Sequence, residues 1–328
     1  MRAAYYEQTG PARDVLHVGE VPVPQPAPGE ALVRLRWSGV NPSDVKSRMG
    51  LRSKTLAFPR IIPHSDGMGV IEAVGEGVDA SRIGERVWLW NAAWGRPFGT
   101  AAQWVALPAE QAVPMPSGIP DEAGACFGIP ALTAMHAVLM AGGVRGKSVL
   151  VAGGGGAVGH YAVQFAKALG ALQVIATVGS EAKAALARDA GANLVIDYKR
   201  EDVAACVMQA TGAGVDRIIE VDVAANAAID SACVKREGEW VVYGSGAGKF
   251  ELEFFPLIAK NVQLRFFIVY HLEREARARA IHCLHRLATQ GTVHHNIAQR
   301  LPLGDIARAH DMVGDGRAGG NVVLDVDG

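Results

Sequence analysis

The feature that most constrains the fold is a cluster of glycines between an apolar run and a helix-like segment. Residues 149–159 read Val-Leu-Val-Ala-Gly-Gly-Gly-Gly-Ala-Val-Gly, and Gly154, Gly156 and Gly159 match the spacing G-x-G-x-x-G. Glycine permits the sharp turn and a close backbone approach to a pyrophosphate, and a helix N-terminus offers that pyrophosphate free N–H groups. Strand, turn and helix in succession therefore predict a dinucleotide-binding turn that includes Ala157 and Val158.

The chain after residue 120 alternates between strand-like and helix-like runs. The candidate strands are Val149–Ala152, Gln173–Thr177, Leu194–Ile196, Arg217–Val221, Trp240–Tyr243 and Val262–Val269. The candidate helices are Val158–Leu169, Glu181–Ala190, Asp202–Thr211, Ala224–Arg236 and Leu272–Ala288. This alternation predicts an α/β fold with a Rossmann-type, doubly wound parallel sheet.

The first 122 residues have a different pattern. Short apolar runs such as Ala31–Trp37, Gly69–Val74 and Glu85–Trp90 are separated by proline and glycine. Such spacing favours a compact barrel or sandwich. The predicted organisation is a barrel domain over residues 1–122, completed by about residues 265–328, and a dinucleotide-binding domain over residues 123–264.

The composition excludes several classes of protein. The 328 residues carry a formal net charge of −1, which gives no electrostatic footprint for nucleic acid or an anionic membrane. No stretch is long and apolar enough to predict a membrane span, and no secretory signal is evident. The four cysteines are scattered without a C-x-x-C pair, which indicates a reducing compartment. The expected location is the cytoplasm.

Several short motifs, taken in order, resemble those of the zinc-independent medium-chain dehydrogenases/reductases of the quinone oxidoreductase, zeta-crystallin-like group. Besides the glycine turn, they are Gly39-Val-Asn-Pro-Ser-Asp44, Asp66-Gly-Met-Gly-Val-Ile-Glu-Ala-Val-Gly75, Gly84-Glu-Arg-Val87, Gly128-Ile-Pro-Ala-Leu-Thr133 and Pro302-Leu-Gly-Asp-Ile-Ala-Arg-Ala-His310. The resemblance implies a GroES-like β-barrel joined to a Rossmann domain, NADPH and substrate in the cleft between them, and a homodimer.

The residues after the second candidate strand favour NADPH over NADH. An NAD-binding unit usually places an acidic residue about 20 positions beyond the glycines, but Thr177-Val-Gly-Ser180 contains none. The resemblance implies that Ser180, Lys183 and Tyr198 hold the 2′-phosphate. It also places Thr133, Gly244 and Ser245 at the cofactor. Glu181 could replace the missing acid, or it could simply favour the start of the next helix.

The sequence lacks the ligand pattern of zinc-dependent relatives. Alignment on Gly69-Val70 puts Ser65 at the zinc-histidine position and Asp66 where those relatives have glutamate. There is no cysteine near Gly39 and no four-cysteine lobe, so no metal is expected. The resemblance puts Asn41 near the nicotinamide and the substrate, with Asp44 nearby. Lys46 is a further catalytic candidate, although it stands where the family often has tyrosine. Asn41-Pro42 could equally be a turn, and Asp44 a helix cap.

These features predict an NADPH-dependent oxidoreductase that reduces quinones or related α,β-unsaturated carbonyl compounds by hydride transfer without zinc. An enoyl-thioester reductase shares the fold, and Lys46 or Asp44 could then supply the proton. A cofactor-binding protein recruited for RNA binding or structural bulk is a non-enzymatic alternative. Trp94 and Phe98 could line an apolar pocket for a flat acceptor.

Overall fold

The chain forms two compact units. A computed structural model describes all 328 residues. Residues 1–130 and 295–328 form one unit, here called the split unit, and residues 131–294 form the other, the central unit. The first boundary was predicted after residue 122 and lies after residue 130. The second was predicted near residue 265 and lies after residue 294.

Fifteen strands and eleven helices make up the two units. The strands are β1 (Arg2–Tyr5), β2 (His17–Glu20), β3 (Glu30–Val40), β4 (Asp66–Val74), β5 (Arg86–Leu89), β6 (Trp104–Pro108), β7 (Ala112–Pro114), β8 (Ser148–Val151), β9 (Gln173–Val178), β10 (Leu194–Asp197), β11 (Val215–Glu220), β12 (Val234–Val242), β13 (Gln263–Phe266), β14 (Ile297–Pro302) and β15 (Asn321–Asp325). The helices are α1 (Ala12–Val15), α2 (Pro42–Arg48), α3 (Asp121–Gly124), α4 (Leu132–Leu139), α5 (Ala157–Ala168), α6 (Glu181–Asp189), α7 (Val203–Thr211), α8 (Val223–Cys233), α9 (Phe254–Ile258), α10 (Arg274–Thr289) and α11 (Ile306–Gly314).

The central unit is built on a parallel sheet of six strands. Their spatial order is β10-β9-β8-β11-β12-β13, and every adjacent pair is parallel. Counted from β8 as the first strand, this is the order 3-2-1-4-5-6 of a Rossmann fold, which confirms the predicted fold class. The order reverses beside β8, so the glycine turn lies at the switch point where such sheets bind ligands.

The central unit extends further along the chain than predicted. Strand β13 pairs with β12, and helix α10 packs against α4. Both elements bury apolar side chains within this unit, among them Ala280, Leu284 and Leu287 of α10. Residues 265–294 therefore belong to the central unit, and only β14, α11 and β15 complete the split unit.

The split unit is β-rich, as its proline- and glycine-punctuated sequence predicts. Its main sheet has the order β14-β15-β3-β4-β5-β7, with β6 also paired to β3. Strand β15 runs antiparallel to β3, so the C-terminus joins the N-terminal sheet. One apolar core contains both Ala3 and Tyr6 from the start of the chain and Leu301 and Leu324 from its end. This core explains why the two sequence segments fold together.

Neither a membrane span nor a disulfide contributes to the fold. No helix combines the length and the apolar character needed to cross a membrane. All four cysteines are free thiols, and Cys126, Cys233 and Cys283 are buried.

Candidate functional site

The glycine turn joins β8 to α5 through a network of backbone hydrogen bonds. Gly153 adopts a positive φ of 70°, and its carbonyl accepts the Gly156 N–H at 2.9 Å. The Gly154 N–H donates to the Thr177 carbonyl at 3.0 Å, which ties the turn to β9. Gly156 is the N-cap of α5, with φ −88° and ψ 177°. The helix therefore begins at Ala157, one residue before the predicted start at Val158.

The three motif glycines have different surroundings. A Cβ atom on Gly159 would lie 2.1 Å from the Gly153 carbonyl oxygen, and one on Gly154 would lie 2.6 Å from the Ala176 Cβ. A Cβ atom on Gly156 would meet only the Gly153 oxygen, at 3.2 Å. Packing within the chain thus explains the first and third glycines. The second one leaves space for something outside the chain.

The open space beside Gly156 adjoins the first turn of α5. The N–H groups of Ala157, Val158 and Gly159 have no carbonyl one turn earlier in the helix to accept them, because the first intrahelical bond runs from His160 to Gly156. Aligned N–H groups and the helix dipole favour a bound anion. This turn can therefore receive a phosphate group.

The residues that follow β9 lie next to the glycine turn. Ser180 is the N-cap of α6, and its Oγ accepts the Lys183 N–H at 3.4 Å. Glu181 forms a 2.7 Å ion pair with Arg188, seven residues further along α6. A Cβ atom on Gly155 would lie 2.6 Å from the Lys183 carbonyl oxygen, so Lys183 lies directly against the glycine turn.

Tyr198 lies beside the end of β9 although it follows β10 in the chain. A Cβ atom on Gly179 would lie 2.5 Å from the Tyr198 hydroxyl oxygen, and the ring is 52% exposed. The Tyr198 N–H donates to the Val178 carbonyl, which fixes the approach. The structure therefore brings Ser180, Lys183 and Tyr198 together at one edge of the sheet, next to the turn.

Gly244, Ser245 and Thr133 also lie in the central unit. Gly244 follows β12, and a Cβ atom there would lie 2.2 Å from the Val221 carbonyl oxygen. The Ser245 hydroxyl donates to the Ala247 carbonyl at 2.7 Å, so it orders its own loop. Thr133 is buried in α4. The cofactor role of these three residues stays a prediction.

Asn41 and Asp44 form a buried pair at the start of α2, in the split unit. Asn41 is the N-cap, and the Asp44 Oδ2 accepts its backbone N–H at 2.8 Å in a capping box. The Asn41 side-chain amide donates to the Asp66 Oδ2 at 2.8 Å. The structure thus shows the capping role that the sequence allowed for Asp44, and it adds Asp66 as a third member.

Burial strongly affects both carboxyl groups. It raises the pKa of Asp44 to about 7, although the bond from the Asn41 backbone N–H and the charge of Arg52 oppose the shift. Burial also raises the pKa of Asp66 well above its ordinary value, against the hydrogen bond from Asn41. A carboxyl group that titrates near neutrality can exchange protons at working pH. Sequence reasoning noted Asp66 only as a substitute for glutamate, because nothing local links it to Asn41.

Lys46 lies in the same short helix. It is half-buried on α2, two positions after Asp44. Side chains two residues apart in a helix point to different faces. Its catalytic role stays a prediction.

Two stacked histidine rings are also buried in the split unit. His64 and His310 are both fully buried, their Nε2 atoms are 2.9 Å apart, and Arg48 Nε donates to His310 Nδ1 at 3.3 Å. His310 Nδ1 must then accept, so its Nε2 carries the proton and donates to His64. His64 Nδ1 in turn donates to the Ser38 hydroxyl, 2.8 Å away.

The chain of hydrogen bonds continues towards Asp66. The Ser38 hydroxyl lies 2.9 Å from the Thr100 hydroxyl, which donates to the Asp66 backbone carbonyl. With His64 donating to it, Ser38 donates onward to Thr100. Burial lowers the pKa of His64 to about 3 and that of His310 well below its ordinary value, so both rings are neutral. The network holds the backbone of Asp66 in place.

The positions that hold zinc in zinc-dependent relatives carry other groups here. Ser65 and Val40 offer neither a thiolate nor an imidazole, and the Asn41 amide is bonded to Asp66. His64 uses both ring nitrogens in the hydrogen-bond network. The structure contains no group of three or more His, Cys, Asp or Glu side chains placed to hold a metal ion.

Comparison with known proteins agrees with this architecture. Residues 27–117 match the alcohol dehydrogenase GroES-like domain, and residues 157–286 match the zinc-binding dehydrogenase domain. Quinone oxidoreductase of Rattus norvegicus is 31% identical over 93% of this chain and 92% of the rat protein. Alcohol dehydrogenase of Geobacillus stearothermophilus is 30% identical over the full length of both chains. A mycobacterial protein solved with NADPH has 29% identity and a TM-score of 0.88, covering 99% of this chain and all of its own.

A GroES-like unit together with a Rossmann unit defines a two-domain oxidoreductase. The chain belongs to the medium-chain dehydrogenase/reductase family, with quinone oxidoreductases among its relatives. This confirms the resemblance inferred from the motifs.

Proposed function

We propose that this protein is an NADPH-dependent oxidoreductase that reduces quinones or related α,β-unsaturated carbonyl compounds without zinc. The observation that carries the proposal is the glycine turn, which leaves space at Gly156 above the N-terminus of α5. NADPH would supply the hydride when bound. The protein's own residues would bind the cofactor, orient the acceptor and exclude water.

The choice of NADPH rests on the charges at the end of β9. Lys183 lies against the glycine turn, with Ser180 and Tyr198 beside it. A 2′-phosphate is stabilised by such cations and donors. Of the nearby acids, Glu181 forms an ion pair with Arg188, and Asp197 accepts the Lys199 N–H and forms an ion pair with Arg200. The NADPH-bound mycobacterial relative supports the same choice.

Lys183→Ala tests this choice. We expect the variant to raise the KM for NADPH by roughly 10-fold to 100-fold, about 1–3 kcal/mol for a charge-assisted contact, with little change for NADH. Lys199→Ala is the matched control, since Lys199 is an exposed neighbour of Tyr198. An equal loss for both cofactors would contradict a specific contact with the 2′-phosphate.

Reduction of an electrophilic acceptor is supported by the donors around Asn41. The positions of the zinc ligands carry groups unsuited to zinc, which favours an acceptor already polarised by conjugation over an alcohol. We propose that Asn41 orients the acceptor and that Asp44, with its pKa near 7, supplies the proton.

A panel of acceptors separates the remaining candidates. NADPH oxidation with 1,4-naphthoquinone supports the quinone reductase. Faster turnover with crotonyl thioester would favour the enoyl-thioester reductase instead. NADPH binding with no turnover of any acceptor, together with an RNA gel shift, would favour the recruited binding protein. Stoichiometric zinc lost together with activity would contradict the zinc-independent reaction.

We also propose that the protein is a homodimer in the cytoplasm. Strand β13 ends the parallel sheet and has one unpaired edge. Phe254, Phe255 and Phe266 are exposed on α9 and β13. Unpaired strand edges and clustered exposed apolar side chains favour association. Light scattering should give a dimer that Phe266→Glu converts to a monomer, whereas a wild-type monomer would contradict the proposal.

A further inference from the structure

A second feature of the split unit is an apolar cavity of about 530 Å³. Residues near the N-terminus and from three later stretches of the chain form its walls. Among them are Val21, Val23, Phe58, Ile62, Pro97 and Phe98. Trp94, which the sequence suggested as a partner of Phe98, is absent from the lining.

Backbone hydrogen bonds join the segments that form the walls of the cavity. The Ile62 N–H donates to the Pro97 carbonyl and the Gly99 N–H donates to the Ile62 carbonyl, each at 2.8 Å. The Val21 N–H donates to the Met1 carbonyl at 2.9 Å. Four prolines among the lining residues further restrict backbone motion: Pro22, Pro24, Pro59 and Pro97. These bonds and prolines restrain the walls of the cavity.

Each charged group of the lining has an ionic partner, and the Met1 ammonium pairs with Glu20 at 3.1 Å. Arg60 Nε donates to Glu7 Oε1 at 2.8 Å, and the Arg60 guanidinium lies 4.4 Å from the centre of the Tyr5 ring. Glu7 and Arg60 are the lining residues with ionisable side chains, and each has its partner. A charged ligand would therefore gain little here, while an uncharged one leaves the ion pair intact.

We propose that this cavity binds an uncharged aromatic small molecule at a site separate from the hydride-transfer site. Its volume falls in the range of about 300–1,000 Å³ that is usual for small-molecule sites. Phe58 and Phe98 offer ring surfaces that suit a flat aromatic ligand. Asn41, Asp44 and Asp66 do not line it, so its occupancy does not require the acceptor site.

Binding of N-phenyl-1-naphthylamine, an uncharged dye that fluoresces in apolar surroundings, tests the proposal. Val23→Trp fills the cavity and should weaken dye binding at least 10-fold. Val18→Trp is the matched control, since Val18 is 37% exposed and Val23 41%, but Val18 lies outside the cavity. The control should bind the dye within twofold of wild type. Unchanged binding by the Val23 variant would overturn the proposal.

Two further arms locate the dye. Phe255→Ser should leave its affinity unchanged, and loss of binding would place the dye on the apolar surface of the central unit instead. Saturating NADPH and 1,4-naphthoquinone should also leave dye binding unchanged. Competitive displacement by the quinone would show that the cavity is part of the acceptor site. Because dye binding needs no turnover, failure here is distinguishable from failure of the proposed reductase activity.

Discussion

At the scale of single residues, Gly156 and Gly159 lie in one turn but are required for different reasons. The backbone of Gly153 occupies the space that a Cβ atom on Gly159 would need. A Cβ atom on Gly156 would have no neighbour within 4 Å other than the Gly153 oxygen. We expect Gly156→Val to abolish NADPH binding while the protein stays folded, because the side chain would occupy the space needed by the pyrophosphate. NADPH fluorescence titration and a thermal melt measure the two effects.

Gly159→Ala is the matched comparison for that prediction. Its Cβ would lie 2.1 Å from the Gly153 carbonyl oxygen, so the turn or helix α5 must shift. We expect this smaller substitution to lower the melting temperature more than Gly156→Val does. Normal NADPH binding by the Gly156 variant would mean that the pyrophosphate lies elsewhere.

Asp44 gives a second prediction at this scale. If it supplies the proton, turnover with the quinone should fall as the pH rises above about 7, where the carboxyl loses its proton. Asp44→Asn keeps an oxygen that can accept the Asn41 N–H but cannot supply a proton. The variant should be slower and should lose this pH dependence. A variant that retains the wild-type rate and profile would leave Asp44 with its capping role alone.

At the scale of elements, the sequence predicted most of the central unit. Candidate runs and observed elements coincide within a residue or two at β8, β9, β10 and α5, because alternating apolar runs and glycine stops are local signals. The start of β12 was wrong, since residues 234–236 were assigned to the preceding helix. Glu237 has a positive φ, and the pairing of β11 and β12 shifts register there. The alternating pattern of a regular strand is therefore interrupted near the start of β12.

The candidate site was harder to predict from sequence than the elements. The glycine turn is contiguous, and its local geometry follows from its residues. The bond from Asn41 to Asp66 joins positions 25 residues apart, and the pairing of His64 with His310 spans 246 residues. Such contacts depend on how β3, β4 and α11 pack, which no local pattern specifies. The resemblance motifs contain Asp66 and His310, but nothing in them indicates that Asp66 bonds to Asn41 or that His310 bonds to His64.

One buried arginine gives a prediction about elements. Arg217, on β11, donates to the carbonyls of Val138 and Met140 at the end of α4 and to the Glu239 carboxylate. Arg217→Met should lower the free energy of unfolding by about 1–3 kcal/mol, because the Val138 and Met140 carbonyls lose their donor and Glu239 keeps only the longer ion pairs with Lys147 and Arg265. Adding Glu239→Leu should recover part of the loss. Urea titration measures both, and a loss below about 1 kcal/mol would show that the ion pair contributes little.

At the scale of the whole molecule, four buried titratable side chains of the split unit make opposing contributions to stability. His64 and His310 are neutral when folded, so they take up protons on unfolding and destabilise the fold as the pH falls below about 6.5. Asp44 and Asp66 hold protons when folded that they release on unfolding at pH values above about 4. Their contribution to stability therefore grows as the pH falls from 7 towards 4, and it offsets that of the histidines.

Replacing one histidine tests its contribution to the pH dependence of stability. His310→Gln removes a ring that is neutral when folded and protonated when unfolded at acidic pH, and it should lower stability at pH 7 by breaking the bonds to Arg48 and His64. As the pH falls below about 6.5, the variant should gain on wild type by up to about 1.4 kcal/mol per pH unit. Ser38→Ala breaks the same chain of hydrogen bonds without removing a titrating ring, so its loss should be about equal at each pH. Urea titrations at pH 7, 6 and 5 measure these differences. A constant difference between His310→Gln and wild type would mean that His310 holds its proton equally in the folded and unfolded chains.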